Sequence, residues 1–264
     1  MGITRNIIFL LMLLILPSSL LWAVEFDVQA EKVRWRYSEY AKDVTGFVEI
    51  PSKAEGNGNL IKLRLSTERD LEWFFGVGGS WMDSVGEESW NHGQINELNV
   101  EQQDIRVDVQ YRMLRARFGV WLANRKQAQN RTSLPAWSGL VGNKLVTVNS
   151  SSIVPEIITS NWLGLSLTSV GGHNEQFEAR IDAALALNVE VTNPLFVKPF
   201  SKKDGYRTGI HFRWTIPHEE VGVSGLNITL RYEYQELGGE NTATDGFWPY
   251  NRWQIASLGV LYAW

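Results

Sequence analysis

The chain has 264 residues, 44% of them hydrophobic and 20% charged, a composition that excludes a disordered chain. Lysine and arginine number 25 against 29 aspartates and glutamates, and the net charge of −4 argues against a partner nucleic acid. Cysteine is absent, which excludes disulfides, thiolate metal sites and cysteine nucleophiles. The chain contains 12 tryptophans, which suggests aromatic rings placed at a boundary between water and an apolar phase.

The first 23 residues have the layout of a secretory signal peptide. Arg5 is followed by an apolar run at 7–16 and by a small residue at Ala23. We expect cleavage after Ala23, with Ala30 as the alternative exit, so that 24–264 form the mature chain. An uncleaved anchor is disfavoured, because the apolar run is shorter than the roughly 20 residues that span a membrane.

Almost every apolar stretch after residue 30 alternates with period two, the pattern of strands with one apolar and one polar face. The segment 226–235, for example, places Leu, Ile, Leu, Tyr and Tyr on one face and Asn, Thr, Arg, Glu and Gln on the other. The ten candidate strands are 33–37, 60–66, 71–81, 105–113, 117–125, 161–168, 177–189, 210–216, 226–235 and 253–264.

The connections between these strands are alternately long and short. Long external loops and tight periplasmic turns give outer-membrane β-barrels this asymmetry, whereas a soluble β-sandwich does not require it. The long segments, which we expect to form external loops, are 38–59, 82–104, 126–160, 190–205 and 236–252. The predicted fold is therefore all-β, a single antiparallel transmembrane β-barrel of about ten strands, with eight strands as the alternative.

The chain ends in a strand-like segment whose aromatic residues are Tyr262 and Trp264. This segment resembles the C-terminal strand of bacterial outer-membrane barrels, in which the terminal aromatic residue is read by the barrel-assembly machinery. The resemblance implies an integral protein of the outer membrane of a Gram-negative bacterium. Its expected partners are the assembly machinery and outer-membrane lipid, including lipopolysaccharide.

The polar faces of the strands predict a narrow lumen filled by charged side chains, because a barrel of about ten strands leaves little room for water. Opposite charges in so dry a space are expected to pair. The predicted lumen charge network comprises Arg106, Asp108, Arg112, Arg180, Asp182, Arg213, Arg231 and Glu233. The same alternation places Arg34 and Arg36 inward. Because arginine outnumbers the acidic residues on these faces, an anion-selective pore is the alternative to a closed lumen.

On the apolar faces we expect aromatic rings at the two membrane interfaces. This predicted girdle comprises Trp35, Trp73, Trp214, Trp253, Tyr262 and Trp264. Four further tryptophans fall on the predicted external loops, where their flat rings suit the recognition of an external ligand. These are Trp81, Trp90, Trp137 and Trp248.

The second predicted external loop begins near the run 78–84, Gly-Gly-Ser-Trp-Met-Asp-Ser, which Trp90 follows. This run is similar to a loop of the omptins, a family of ten-stranded outer-membrane proteases. Omptins place two catalytic aspartates just before the run and an Asp/His pair on a later loop. Here the first two positions hold Gly78 and Ser80, and the sequence contains no Asp-x-His. The resemblance therefore implies the barrel without the proteolytic apparatus.

Candidates for catalysis lie on the same predicted loop. They are Asp83, Glu87, Glu88 and His92. A histidine beside carboxylates can form an acid–base pair or a metal site, but solvated loop polarity is the favoured interpretation. A lipid-modifying hydrolase would instead need an inward histidine beside a hydroxyl, and His211 with Thr208 or Ser166 is the only candidate set.

The sequence thus favours a non-enzymatic outer-membrane barrel, structural or binding a ligand through its external loops. No metal and no cofactor is expected. An omptin-like or lipid-modifying hydrolase with an altered site is the first alternative, and a small anion-selective pore is the second.

Overall fold

A computed structural model describes residues 23–42, 48–69, 72–91, 93–133, 137–141, 144–148, 153–171, 176–194, 200–202, 204–238, 240–242, 246–248 and 250–264. The predicted signal peptide, apart from Ala23, lies outside these residues, and so does the candidate His92. Ala30, the alternative cleavage position, lies within the first strand and pairs with Ile61 and Val260. No helix within the described part of the chain is long and apolar enough to cross a membrane.

The described residues form fifteen strands and one short helix. In chain order they are β1 (Ala23–Lys42), β2 (Val48–Arg69), β3 (Trp73–Trp90), β4 (Ile95–Met113), β5 (Ala116–Ser133), β6 (Trp137–Val141), β7 (Lys144–Val148), β8 (Ile153–Gly171), β9 (Phe177–Thr192), β10 (Phe200–Lys202), β11 (Gly205–Thr215), α1 (His218–Val221), β12 (Leu226–Leu237), β13 (Glu240–Thr242), β14 (Gly246–Trp248) and β15 (Tyr250–Ala263).

Ten of these strands close into a ring through antiparallel pairing. They are β1, β2, β3, β4, β5, β8, β9, β11, β12 and β15. Neighbours along the chain pair throughout, and the first strand pairs with the last. An even strand number brings both chain ends to the same side of the membrane. The predicted all-β, ten-stranded barrel is confirmed, and eight strands is wrong.

The longer strands keep their alternation from end to end, but the polarity of the outward face changes part-way along. At the periplasmic end of β4 the outward residues are Ile105, Val107, Val109, Tyr111 and Met113, all exposed. Towards its external end they are Glu97, Asn99, Glu101 and Gln103. The nine residues of the apolar part rise about 30 Å, or about 23 Å at the usual tilt, which matches the hydrocarbon band of an outer membrane. The periplasmic half of the strand therefore faces lipid, and the external half faces water.

The inward faces follow the opposite rule. At the lipid level they are largely charged, although the first of two apolar cores begins there at Trp121, and both cores continue towards the external end beside the buried amides of Gln102, Gln127 and Gln235. The first apolar core comprises Trp121, Ala123, Ile158, Trp162, Ala184, Ala186, Val189, Val191 and Leu237. The second apolar core comprises Val33, Trp35, Tyr37, Ala54, Leu60, Met82, Leu98, Val100, Trp253 and Ile255. An apolar interior behind a water-facing wall is the arrangement of a soluble barrel. A membrane barrel thus continues outward into a soluble-type barrel.

Glycines make room for the tryptophans in these cores. A Cβ atom at Gly56 would lie 2.4 Å from the ring of Trp35, and one at Gly86 would lie 2.7 Å from the same ring. A Cβ at Gly164 would lie 2.2 Å from the ring of Trp121. Because such contacts are sterically forbidden, any other residue would displace a ring from the barrel interior.

The prediction that 38–59 and 82–104 are external loops is wrong over most of these ranges. Both ranges are largely strand, since β1 extends to Lys42, β2 starts at Val48, and β3 and β4 approach each other to within a few residues. The alternation continues in these segments with the two faces exchanged. A sequence pattern that requires apolar residues on the outward face therefore detects only the membrane-spanning part of each strand.

Candidate functional site

The lumen at the lipid level contains a connected set of charged side chains. The guanidinium of Arg125, a residue only 1% exposed, lies 2.7 Å from a carboxylate oxygen of Asp104 and 2.6 Å from one of Glu233. Arg207 contacts the same two carboxylates at 2.9 Å each. Two arginines and two carboxylates therefore neutralise one another across the lumen. An unpaired charge in such a space would destabilise the barrel by roughly several kcal/mol, because no partner would replace its lost hydration.

Asp182, on β9, organises a second group. Its carboxylate lies 2.9 Å from Arg106, 3.1 Å from Arg180 and 3.2 Å from Nε2 of His211. The guanidinium of Arg106 also stacks on the ring of Trp121, with 4.0 Å between its central carbon and the ring centroid. The first apolar core therefore lies directly against the charged lumen.

Further pairs lie between β1, β2, β4 and β12. Glu31 accepts from Lys62 at 2.7 Å and lies 3.5 Å from Arg231. Asp108 pairs with Arg64 at 3.1 Å. These contacts join neighbouring or nearly neighbouring strands, whereas Arg125–Glu233 and Arg207–Asp104 join opposite walls of the barrel.

The predicted members Arg112 and Arg213 lie on inward faces nearer the periplasmic end. Arg213 donates to the side chain of Asn227 at 2.9 Å. Two central members, Asp104 and Arg125, were missed by the sequence prediction. Asp104 was assigned to an external loop, although it continues the alternation of Arg106 on the same face of β4.

A cavity of about 200 Å³ lies among these charges. Its lining includes Asp27 and Glu178 near the periplasmic strand ends and Asp104 at the other extreme. The two apolar cores lie mostly on its external side, and the most enclosed rings of these cores are Trp35, Trp121, Trp162 and Trp253.

A second polar cluster lies at the external mouth, above the apolar band. Arg131 is 3.0 Å from Glu39, 2.9 Å from Glu88 and 3.8 Å from Glu156. Burial raises the pKa of Glu39 to about 7, with Arg131 opposing the shift and the other two carboxylates adding to it. The carboxyl of Glu39 therefore gains and loses its proton near neutral pH.

The predicted catalytic residues do not converge. Asp83 and Glu87 lie on the outward, exposed face of β3, whereas Glu88 points inward, is fully buried and pairs with Arg131. The assignment of Glu88 to a solvated loop is therefore wrong, because odd and even positions of one strand face opposite sides.

The candidate set for lipid hydrolysis is also separated in space. Thr208 is exposed on the outward face of β11. Nε2 of His211 lies 3.2 Å from the carboxylate of Asp182. Ser166 is the cross-strand neighbour of Asp182, so the aspartate, and not the histidine, lies next to the hydroxyl residue.

The predicted girdle divides into two groups. Trp73, Trp214, Tyr262 and Trp264 lie at the periplasmic end of the barrel, and the three tryptophans are exposed. The placement of Trp35 and Trp253 at the interface is wrong. Both are buried in the second apolar core with ring centroids 5.4 Å apart. Their neighbours Arg34 and Arg36, predicted inward, face water instead, because β1 has left the membrane at this level.

The tryptophans predicted on external loops all lie in strands. Trp81 is exposed at the external edge of the apolar band, and Trp90 donates to Glu88 at 3.0 Å. Trp137 begins β6, and Trp248 ends β14.

No protein-family model and no curated protein matches the sequence. The crystal structure of the outer membrane protease OmpT from Escherichia coli is similar over 94% of this chain and 99% of that chain, with a TM-score of 0.54 and 11% identity. The transport unit of the autotransporter AIDA-I from Escherichia coli is similar over 98% of this chain and 96% of that chain, with a TM-score of 0.43 and 8% identity. At these identities the likeness shows the fold alone.

The weak omptin-like resemblance of the sequence is thus matched at the level of the fold. Together, the fold and the lipid-facing band identify the chain as an integral β-barrel of the outer membrane of a Gram-negative bacterium.

Proposed function

We propose that the chain is a non-enzymatic outer-membrane barrel with a closed lumen, which acts at the cell surface through its external half. The supporting observation is that side chains fill the barrel at two successive levels. Ion pairs occupy the lipid level together with Trp121, and most of the two apolar cores lies beyond them in the external half. Ions need a continuous polar path, and the cores oppose one.

Conductance across planar lipid bilayers tests this proposal against the pore alternative. The reconstituted protein is expected to give no channel steps in potassium chloride. Its folded state is checked by heat-modifiable migration on gels, because a closed barrel resists detergent until it is boiled. Stable steps with a preference for anions would overturn the closed barrel and support the pore.

The absence of enzymatic activity is proposed because the candidate acids of β3 point to opposite sides of the wall. The purified protein is expected to hydrolyse neither peptides nor the acyl chains of lipopolysaccharide. Hydrolysis that disappears in Asp83→Ala or His92→Ala, and persists in Glu190→Ala on the outward face of β9, would establish the hydrolase alternative.

Outer-leaflet glycolipid is the proposed lipid partner. A basic wall faces outward on β15, β1 and β2. It begins at Lys32, directly above the lipid-facing band, rises through Arg34 and Arg36, and ends at Lys53 and Arg252, which pair with Ser38 of β1. Arg34 and Arg36 share one carboxylate, Glu55, at 3.5 and 3.7 Å, and both are largely exposed. Arginines at this height suit the phosphate groups of lipopolysaccharide.

Native mass spectrometry tests the glycolipid proposal. The double variant Arg34→Gln/Arg36→Gln is expected to retain less lipopolysaccharide than the wild type. Lys126→Gln, which removes an exposed cation from the outward face of β5, serves as the control. Equal retention by all three proteins would contradict the assignment.

The barrel-assembly machinery is the proposed assembly partner. Trp264 is exposed at the chain end, and its ring stacks on Phe26 at 5.4 Å. Trp264→Ala is expected to slow assembly by the purified machinery while leaving spontaneous folding into detergent nearly unchanged. Equal assembly rates would contradict recognition of this ring.

A further inference from the structure

The cavity in the periplasmic half of the lumen carries an excess of positive charge. Seven lysine and arginine side chains line it, against six aspartates and glutamates, with His211 in addition. The volume of about 200 Å³ suits a small molecule with its hydration water. A small anion would therefore balance the charge of the lining.

Two of the lining arginines have a hydrogen-bond donor that no described protein atom accepts. Arg231, 4% exposed, places Nε 3.5 Å from Glu31 and Nη1 3.3 Å from Glu233. Arg180 places Nε 3.1 Å from Asp182. The buried Nη2 atoms of both arginines have no hydrogen-bond partner among the described residues. Buried donors are almost always satisfied by protein, ordered water or a ligand, so these two are available to an acceptor that enters the cavity.

The lining also offers acceptors to such a ligand. Oδ1 of Asp27 and Oδ1 of Asp104 are buried and have no hydrogen-bond partner in the part of the chain that the structure describes. A hydroxyl carried by the anion, as in hydrogen phosphate, can donate to either oxygen. The polar atoms left over in the cavity thus include both donors and acceptors.

The cavity extends towards the periplasmic end of the lumen, where the lining residues Glu178 and Arg213 are within two positions of the strand ends Phe177 and Thr215. On the β5 wall, the lining residues Arg106 and Arg207 lie over the ring of Trp121 at 4.0 and 5.6 Å.

We propose that this cavity binds a small oxyanion of the phosphate type from the periplasm, held by the free guanidinium nitrogens of Arg180 and Arg231. The site is distinct from the external half of the barrel. Anion binding is measured separately from conductance, so this inference and the closed-barrel proposal can fail independently.

Thermal unfolding in detergent with increasing inorganic phosphate is the first test. A ligand that binds only the folded barrel raises the melting temperature with saturation, whereas chloride at equal ionic strength is expected not to. Arg180→Gln is the chosen variant, because Asp182 keeps Arg106 and His211 as partners. This variant is expected to lose the phosphate effect, and Lys126→Gln, with the same loss of charge on the outer wall, is expected to keep it.

Line broadening of the phosphate ³¹P resonance gives a second test that does not depend on the stability of a variant. Arg180→Gln is expected to weaken binding by about tenfold or more, the effect of losing a charged hydrogen bond. Arg180→Lys, which keeps the charge without the planar fork, is expected to bind with intermediate strength. A melting shift that rises without saturation, or equal broadening by Arg180→Gln and Lys126→Gln, would overturn the proposal.

Discussion

The effect of removing a charge on the free energy of unfolding depends on the face of the strand on which that charge lies. Glu233 is 2% exposed, and three arginines surround it, namely Arg125, Arg207 and Arg231. Its removal would leave an excess of buried guanidinium charge. Breaking a buried pair in this way typically costs about 3–5 kcal/mol.

We therefore expect Glu233→Ala to lower the free energy of unfolding by about 3–5 kcal/mol in denaturant titrations of the reconstituted protein. Glu87→Ala, on the exposed face of β3, is expected to change it by no more than about 0.5 kcal/mol. Glu88→Ala is not a neutral control, because Glu88 is buried beside Arg131. Similar values for Glu233→Ala and Glu87→Ala would show that water reaches the network.

The polar cluster at the external mouth, formed by Arg131, Glu39, Glu88 and Glu156, predicts that the stability of the barrel depends on pH. The pKa of Glu39 is raised in the folded barrel from 4.5 to about 7, so its contribution is fully present below about pH 4.5 and is lost as the pH rises to about 7. Unfolding measured between pH 4 and 8 is expected to show this loss. Glu39→Gln, which stays neutral, is expected to flatten the profile, and an unchanged profile in that variant would assign the titration to another group.

A strand of this barrel has two zones, and alternation alone does not distinguish them. The ten strands could be predicted from the sequence, because period-two patterning is a local property. Trp35 and Trp253 could not be placed, since an apolar face can meet lipid or a core with the same pattern. The available signal is a pair of adjacent polar residues at the boundary, as at Glu31–Lys32, Gln103–Asp104 and Asn124–Arg125.

The two zones of β4 predict that an arginine introduced on the outward face destabilises the barrel in one zone and not in the other. Val107→Arg places a charge in the lipid-facing band and is expected to destabilise the barrel by about 2–4 kcal/mol if it lies near the midplane. Glu101→Arg, on the same face but six residues nearer the external end, is expected to be nearly neutral. Unfolding in lipid vesicles measures both. Equal costs would mean that the external half is also embedded.

The sequence predicts which charged residues face the lumen, but it does not predict which of them pair. Which residues pair depends on strand tilt and stagger, which bring together groups as distant in sequence as Arg125 and Glu233. The proposed closure of the lumen has the same origin. It follows from rings contributed by opposite walls, such as Trp35 on β1 and Trp121 on β5, and from the glycines that admit them.

Thiol labelling of single-cysteine variants tests the two-zone, closed barrel most directly, because the chain has no cysteine of its own. In lipid vesicles, a membrane-impermeant maleimide is expected to label Glu101→Cys. It is expected to spare Val107→Cys in the lipid band and Ser84→Cys, a near-isosteric change at a position 3% exposed inside the external half. Rapid labelling of folded Ser84→Cys would reveal a water-filled lumen, and protection of Glu101→Cys would place the external half in the membrane. Either result would contradict the account.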